Sequence, residues 1–204
     1  MTDKHNIGGL YQDSFEHDSC GFGLICHMDG QASHELLHKA IKALSRLTHR
    51  GAVAADGKSG DGCGLLMKMP AAFFRRVAAS DGIAIANNFA VGMVFLSGQD
   101  AHAEMERRCL QTELEKQSLQ VAGWRTVPVD TEACGPRALD TLPAIEQVFV
   151  NLPEAGAVED GERKLFIARR RAERLIKTSD AGFHVTSLSS RVICYKGLVM
   201  AHNL

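Results

Sequence analysis

Cys20 is the residue whose setting most directly suggests chemistry. It stands in Asp18-Ser19-Cys20-Gly21-Phe22-Gly23-Leu24-Ile25, at the mouth of an apolar run and ahead of two glycines at alternate positions. As the first residue of a processed chain, a cysteine carries its own base. A free α-amine has an unperturbed pKa of about 7.7–8.0, so a neutral fraction exists near pH 7. That amine can take the thiol proton directly or through a water, which makes the sulfur a nucleophile. Gly21 and Gly23 would let the backbone bend and leave the sulfur uncovered. The competing interpretation is a buried structural cysteine followed by a strand loosened by glycine. Composition alone leaves both open.

Other residue groupings carry less chemistry. The six cysteines (20, 26, 63, 109, 134 and 194) show no framework spacing, as expected for reduced thiols rather than disulfides. There is no C-x-x-C pair, so no zinc site is predicted. Cys26 and His27 are adjacent and would point to opposite faces of a strand. His34 and His38 stand four apart on a helical pattern, but no third ligand accompanies them, and they read as solvated. The glycine-rich stretch 51–64 invites comparison with a phosphate-binding loop through Gly57-Lys58-Ser59. The required first glycine falls at Ala52, and the loop runs from helix to strand, the reverse of the phosphate-loop order. A tight loop feeding a strand is the better account. A helix over 162–177 carries Arg163, Lys164, Arg169, Arg170, Arg171, Arg174 and Lys177. With a single aromatic, Phe166, and no net positive charge on the chain, it reads as a face meeting water or an acidic neighbouring domain rather than RNA.

The chain as a whole bounds these possibilities. At 204 residues it fits one domain with a substantial core. A net charge of −1 argues against a general nucleic-acid or acidic-membrane binder. The longest apolar run, Phe89 to Leu96, is far too short to span a bilayer. Residues 1–19 are polar, lack an apolar core and are not a secretory signal. A cytoplasmic protein is the expectation.

The elements that must position these groups follow from periodicity. Gly21–Met28 reads as a strand, and Asp29-Gly30 as a turn. Ser33 caps a helix whose apolar positions are Leu36, Leu37, Ala40, Ile41, Leu44 and Leu47, with Gly51 closing it. Cys63–Met69 is a strand. Pro70, at the first helical position, opens a helix Ala71–Ala79. Phe89–Leu96 is a strand. Asp100 caps a helix to about Gln117, with Ala101, Met105, Cys109, Leu110 and Leu114 facing inward. Leu119–Val127 and Glu146–Leu152 are strands, Gly135-Pro136 a loop and Gly156–Gly161 a turn. The last segments, Phe183–Leu188 and Arg191–Met200, read as a hairpin. Strands and helices mix without βαβ alternation, which suits helices packed outside sheets in an α+β fold.

The run Asp18-Ser19-Cys20-Gly21-Phe22-Gly23 resembles the start of the class II glutamine amidotransferase domain of the glutamate synthase family. The resemblance continues through Leu47-Thr48-His49-Arg50-Gly51-Ala52 and through Ala55-Asp56-Gly57-Lys58-Ser59-Gly60-Asp61-Gly62-Cys63-Gly64. It returns at Phe166-Ile167-Ala168-Arg169-Arg170, Ser187-Leu188-Ser189-Ser190-Arg191 and Tyr195-Lys196-Gly197. It thus spans essentially the whole chain.

The resemblance implies an Ntn-hydrolase fold, a four-layer αββα sandwich with the nucleophile opening a core strand, here incomplete at the C-terminus. It implies a leader at residues 1–19, removed to free Cys20, and the N-terminal part of the amidotransferase domain at 20–204. Glutamine is the implied substrate. The Cys20 thiolate attacks its side-chain amide, ammonia leaves, and water hydrolyses the thioester to glutamate. Ammonia then serves glutamate synthesis from 2-oxoglutarate in downstream synthase domains. FMN and an iron–sulfur cluster are expected in those domains, none in this stretch, with a small NAD(P)H-dependent subunit as a further partner. Arg50 and Gly51 match an Arg-Gly pair that shapes the pocket near the nucleophile; alone, Arg50 also suits a cation at a helix C-terminus. The family's oxyanion Asn-Gly pair and its anchors for the substrate carboxylate and amine come later in the family order than Leu204. Ala201-His202-Asn203-Leu204 has leucine in place of glycine and comes too early, so Asn203 is not given that role. The 204 residues alone are therefore expected to be inactive. The alternative is a non-catalytic Ntn-like binding or assembly module.

Overall fold

A computed structural model describes residues 21–47, 53, 55–60, 62–154, 158–177, 182–198 and 200. Its centre is strand β2 (Phe89–Leu96), an almost wholly apolar run. Continuous apolarity suits a strand covered on both faces, and every residue of β2 except Phe95 is buried. Side chains alternate across it. Ala90, Val94 and Leu96 enter one apolar cluster, and Phe89, Val91 and Met93 enter another on the opposite face.

β2 lies in a four-stranded antiparallel sheet of order β3-β4-β2-β5, with β3 at Gln120–Thr126, β4 at Ala144–Asn151 and β5 at His184–Ser189. Gly92 stands between Val148 and Leu188 on the neighbouring strands. A Cβ there would meet Val148 Cγ1 at 2.6 Å and Leu188 Cδ1 at 2.9 Å, so only glycine fits without displacement. Two helices cover one face. α3 (Asp100–Glu115) contributes Ala103, Leu110 and Leu114. α5 (Val158–Ile176) contributes Leu165, Ala168, Ala172 and Ile176, an apolar stripe at helical spacing. Arg107 of α3 also clamps Glu146 of β4 with two hydrogen bonds, at 2.8 and 2.6 Å.

On the other face, β1 (Cys63–Lys68) pairs antiparallel with β6 (Val192–Gly197) as a second, two-stranded sheet. With α2 (Ala71–Ser80) it packs on the four-stranded sheet through Met69, Phe74, Ala78, Phe149 and Ile193. One polar chain crosses this apolar layer. Arg125 of β3 bonds Asp81 at 3.0 Å and donates to Gln147 Oε1 at 3.0 Å; Gln147 Nε2 in turn donates to the Tyr195 hydroxyl at 3.4 Å. Burial pushes the Tyr195 hydroxyl above its ordinary pKa.

The class is therefore α+β, as expected, and both sheets are antiparallel. Several details differ. Residues 21–27 form no strand: they are exposed, Phe22 at 93 %, and run into a turn at Met28-Asp29. Apolar residues make a strand only where a partner edge and a covered face await them. Helix α1 (His34–Ser45) forms as predicted, with Ser33 Oγ accepting from Leu36 N at 3.1 Å, but none of its residues is buried. Pro70 occupies the cap position of α2 rather than its first turn, and α2 runs one residue further than expected. Gln99, not Asp100, precedes α3, and the phase of α3 is turned. Ala101 and Met105 face solvent, while Glu106 and Glu113 are buried. Their carboxylates accept from Ser97 N and from Lys116, which makes the inward positions tolerable. A one-turn helix, α4 (Pro136–Asp140), with Pro136 in its first turn, occupies the expected loop. α5 starts at Val158 and takes in Gly161, so no turn separates 158 from 162. β5 and β6 are not a hairpin: the chain crosses from one sheet to the other at Ser190-Arg191.

Candidate active site

Cys20, Arg50 and Gly51 lie outside the described residues, as does the predicted closure of α1 by Gly51. The described residues frame the Arg50–Gly51 pair on either side and begin just after Cys20. Upstream, α1 ends at Ser45, with Arg46 at its C-cap. Downstream, Val53 forms an isolated antiparallel bridge with Gly60. Between them is a tight turn built by Asp56. Its Oδ1 accepts from Lys58 N at 2.9 Å and Ser59 N at 2.7 Å, and its Oδ2 accepts the Ser59 hydroxyl at 2.6 Å. This is an Asx turn closed by a second side chain. Gly57 sits inside it at φ +66°, a conformation glycine adopts without strain. These bonds, the Ser59 hydroxyl foremost, hold the Asp56 carboxyl below its ordinary range, and Arg137 adds to the effect.

Three glycines of this stretch, Gly57, Gly62 and Gly64, have structural reasons of their own. Past the turn, a Cβ at Gly62 would lie 2.9 Å from Gly197 O, and one at Gly64 2.8 Å from Tyr195 O. Glycine lets β1 run close against β6. The loop feeds a strand, as its sequence suggests.

Three of the other thiols are poorly suited to attack. Burial pushes the thiols of Cys63, Cys109 and Cys194 above their ordinary pKa, so each is less of a thiolate at neutral pH. His34 and His38 meet edge to face, ring centroids 4.3 Å apart, on an exposed helix. Among the described residues no three His, Cys, Asp or Glu side chains gather as a metal cluster. No helix of the described residues is long and apolar enough to cross a membrane. The basic face of α5 is partly neutralised within the helix, Arg163 and Lys164 on Asp160, Arg169 and Arg170 on Glu173.

Periodicity did not single out three features. Glu162 fastens the crossover between the sheets, accepting from Ser189 and Ser190. Gln147 and Tyr195 join the two sheets. Gly135 abuts the Asp56 turn, where an added Cβ would fall on Ser59 Oγ and lie 2.6 Å from Asp56 Oδ2. A lone Gly-Pro pair signals only a turn, and one Glu in a charged helix signals only solvent.

Comparison with known proteins sets this frame in a family. The family model described as glutamine amidotransferases class-II matches residues 20–204. The glutamate synthase [NADPH] large chain of Azospirillum brasilense is 39 % identical over 197 residues, 95 % of this chain. The same-named large chain of Bacillus subtilis is 37 % identical over 194 residues, 94 % of this chain. Ferredoxin-dependent glutamate synthase 1 of Arabidopsis thaliana is 37 % identical over 205 residues, 98 % of this chain. The chain spans 13 % of the length of each of these relatives. With a family model matched from Cys20 to Leu204, the chain belongs to the class-II glutamine amidotransferases.

Proposed function

We propose that this chain is the N-terminal part of the glutaminase domain of a glutamate synthase large chain, with Cys20 as its nucleophile. The observation that carries this is the family match, which begins at Cys20 itself. Residues 1–19 are then a leader whose removal creates the α-amine, and 20–204 belong to the domain. The amine takes the thiol proton, and the thiolate attacks the side-chain amide carbon of glutamine. Ammonia leaves with a proton, and water hydrolyses the γ-glutamyl thioester to glutamate. Arg50 and Gly51 shape the pocket that receives glutamine.

The released ammonia serves glutamate formation from 2-oxoglutarate in the synthase regions that the longer relatives carry. FMN and an iron–sulfur cluster belong to those regions. A small NAD(P)H-dependent subunit is the proposed partner, by analogy with the relatives whose names include NADPH. The fold is the four-layer αββα sandwich. α1 supplies the outer helical layer, its half-exposed apolar stripe being suited to the outer face of β1–β6, where Leu66 is 65 % exposed.

The test is covalent labelling by a diazoketone analogue of glutamine. The thiol adds through sulfur to the diazo carbon, its proton passes to that carbon, and dinitrogen leaves. Peptide mapping should place the adduct on Cys20, competed by glutamine. An adduct on another cysteine contradicts the assignment.

A further inference from the structure

We infer that a cavity at the end of the central sheet, lined by Arg75, Lys164 and Arg191, is a binding site for a small aliphatic carboxylate. It lies by the Lys68 end of β1, opposite the end that emerges from the Asp56 turn. The glutaminase chemistry proposed above makes no use of it.

The cavity measures about 300 Å³, at the lower end of the range for small-molecule sites. It opens where β2 begins and β4 ends, a place that α2 reaches from one face of the sheet and α5 from the other. Its walls are tied down by the protein's own bonds. Met69 N donates to Arg191 O at 2.8 Å, and Leu152 N to Asn88 O at 2.9 Å. Arg75 donates to Ala86 O at 3.3 Å and to Asn87 O at 2.6 Å, and its guanidinium lies 4.9 Å from the centre of the Phe89 ring. Glu162 of α5 accepts from Ser190 N at 2.7 Å. A site formed in advance loses little ordering entropy when it is filled.

The charge selects an anion. Three cations, from α2, α5 and the crossover, face one lining carboxylate, Asp160. Among the described residues no carboxylate pairs with Arg75: it donates to neutral carbonyls, which leave its charge uncompensated. Asp160 is shared, with Lys164 at 3.0 Å and Arg163 at 2.7 Å. Arg191 pairs with Glu159 in open solvent, their side chains 52 % and 74 % exposed, a setting in which an ion pair holds weakly. The Glu162 carboxylate is taken up by Ser189 and Ser190. Met69 and Phe89 are buried and give the cavity an apolar wall, while the exposed Asn87 and Asn88 bring amides to its mouth. A carboxylate on a short hydrocarbon body suits both parts. Its oxygens accept from guanidinium and ammonium donors, and its methylenes lie against Met69 and Phe89.

The test is hydrogen–deuterium exchange of the protein carrying this chain, read peptide by peptide, with succinate as the probe and sodium chloride at equal ionic strength as the control. Succinate should slow exchange in peptides covering 69–75, 87–89, 158–164 and 190–191, saturating as its concentration rises; chloride should not. Arg75→Gln and Lys164→Gln should each raise the half-saturating concentration about 10-fold, with exchange in the absence of succinate near wild type. Arg75→Lys keeps the charge without the planar fork and should fall between wild type and Arg75→Gln. Inorganic phosphate, an anion with no hydrocarbon, should protect less than succinate at the same concentration. Absence of succinate protection in the wild-type protein overturns the site. Equal half-saturation in wild type, Arg75→Gln and Lys164→Gln places succinate elsewhere and also overturns it. Phosphate protection matching that of succinate overturns the assignment to carboxylates.

Discussion

Glu162 holds Ser190 twice. Its Oε1 accepts the Ser190 backbone N–H at 2.7 Å and the Ser190 hydroxyl at 2.6 Å, while its Oε2 accepts from Ser189 Oγ at 2.8 Å. Ser189 Oγ accepts in turn from Arg191 N at 2.9 Å and Val192 N at 3.3 Å. One carboxylate near the start of α5 thus fastens the point where the chain leaves the four-stranded sheet for the two-stranded one. The crossover lies between β5, which borders β2, and β6, which pairs with the strand emerging from the Asp56 turn.

Glu162→Ala removes the acceptor for three donors in a part-buried setting. Hydrogen bonds to a charged group of this kind are worth about 1.5–3 kcal/mol. Urea unfolding should therefore show a loss of about 2 kcal/mol. Glu162→Gln retains one acceptor oxygen and should lose less. Equal midpoints for wild type and Glu162→Ala would mean that the crossover is held by packing alone.

Gly92→Ala places a methyl 2.6 Å from Val148 Cγ1 at the centre of the buried strand. Overpacking of this kind costs about 1–3 kcal/mol. Gly98→Ala is the comparison: its Cβ would meet Leu142 O at 3.6 Å, ordinary contact, and stability should change by about 0.5 kcal/mol or less. Denaturation of the two variants side by side measures the difference. Equal stability would show that β2 can shift to admit a side chain.

Much of this frame was legible in the sequence. β2 stands out because an unbroken apolar run bounded by polar residues has few alternatives to a strand covered on both faces. The helix over 162–177 is legible too, by its charged face; its buried stripe of Leu165, Ala168, Ala172 and Ile176 comes from the structure. α3 was misphased because Glu106 and Glu113 take inward positions that periodicity assigns to apolar residues, and only their partners make that affordable. The crossover at Ser190 looked like a hairpin turn because Ser-Ser-Arg between two strands has the same composition in either role. What separates the two is Glu162, 28 residues away from Ser190. Gly135 was not legible, since the space it leaves for Ser59 exists only after the fold is formed.

His184 should give the fold a pH dependence. Partial desolvation of this otherwise exposed ring at the start of β5 lowers its pKa from the ordinary 6.5; Lys196 and Arg169 act in the same direction, and Glu173 opposes them. A histidine lowered in the folded state binds its proton more readily when unfolded. Its contribution to stability is therefore complete above about pH 6.5 and is lost as pH falls through the lower folded value. Unfolding free energies measured between pH 7.5 and about pH 5 should decline more steeply for wild type than for His184→Gln. Parallel curves would show that His184 titrates alike in both states.

The most direct measurement is the rate of glutamate formation by Cys20→Ala in the protein carrying this chain, with glutamine and then with ammonia as nitrogen source. A nucleophile at Cys20 requires the glutamine-dependent rate to fall to background. The ammonia-dependent rate should stay at the wild-type level, because ammonia enters after the step proposed for Cys20. A Cys20→Ala protein that still uses glutamine at the wild-type rate would contradict the assignment outright.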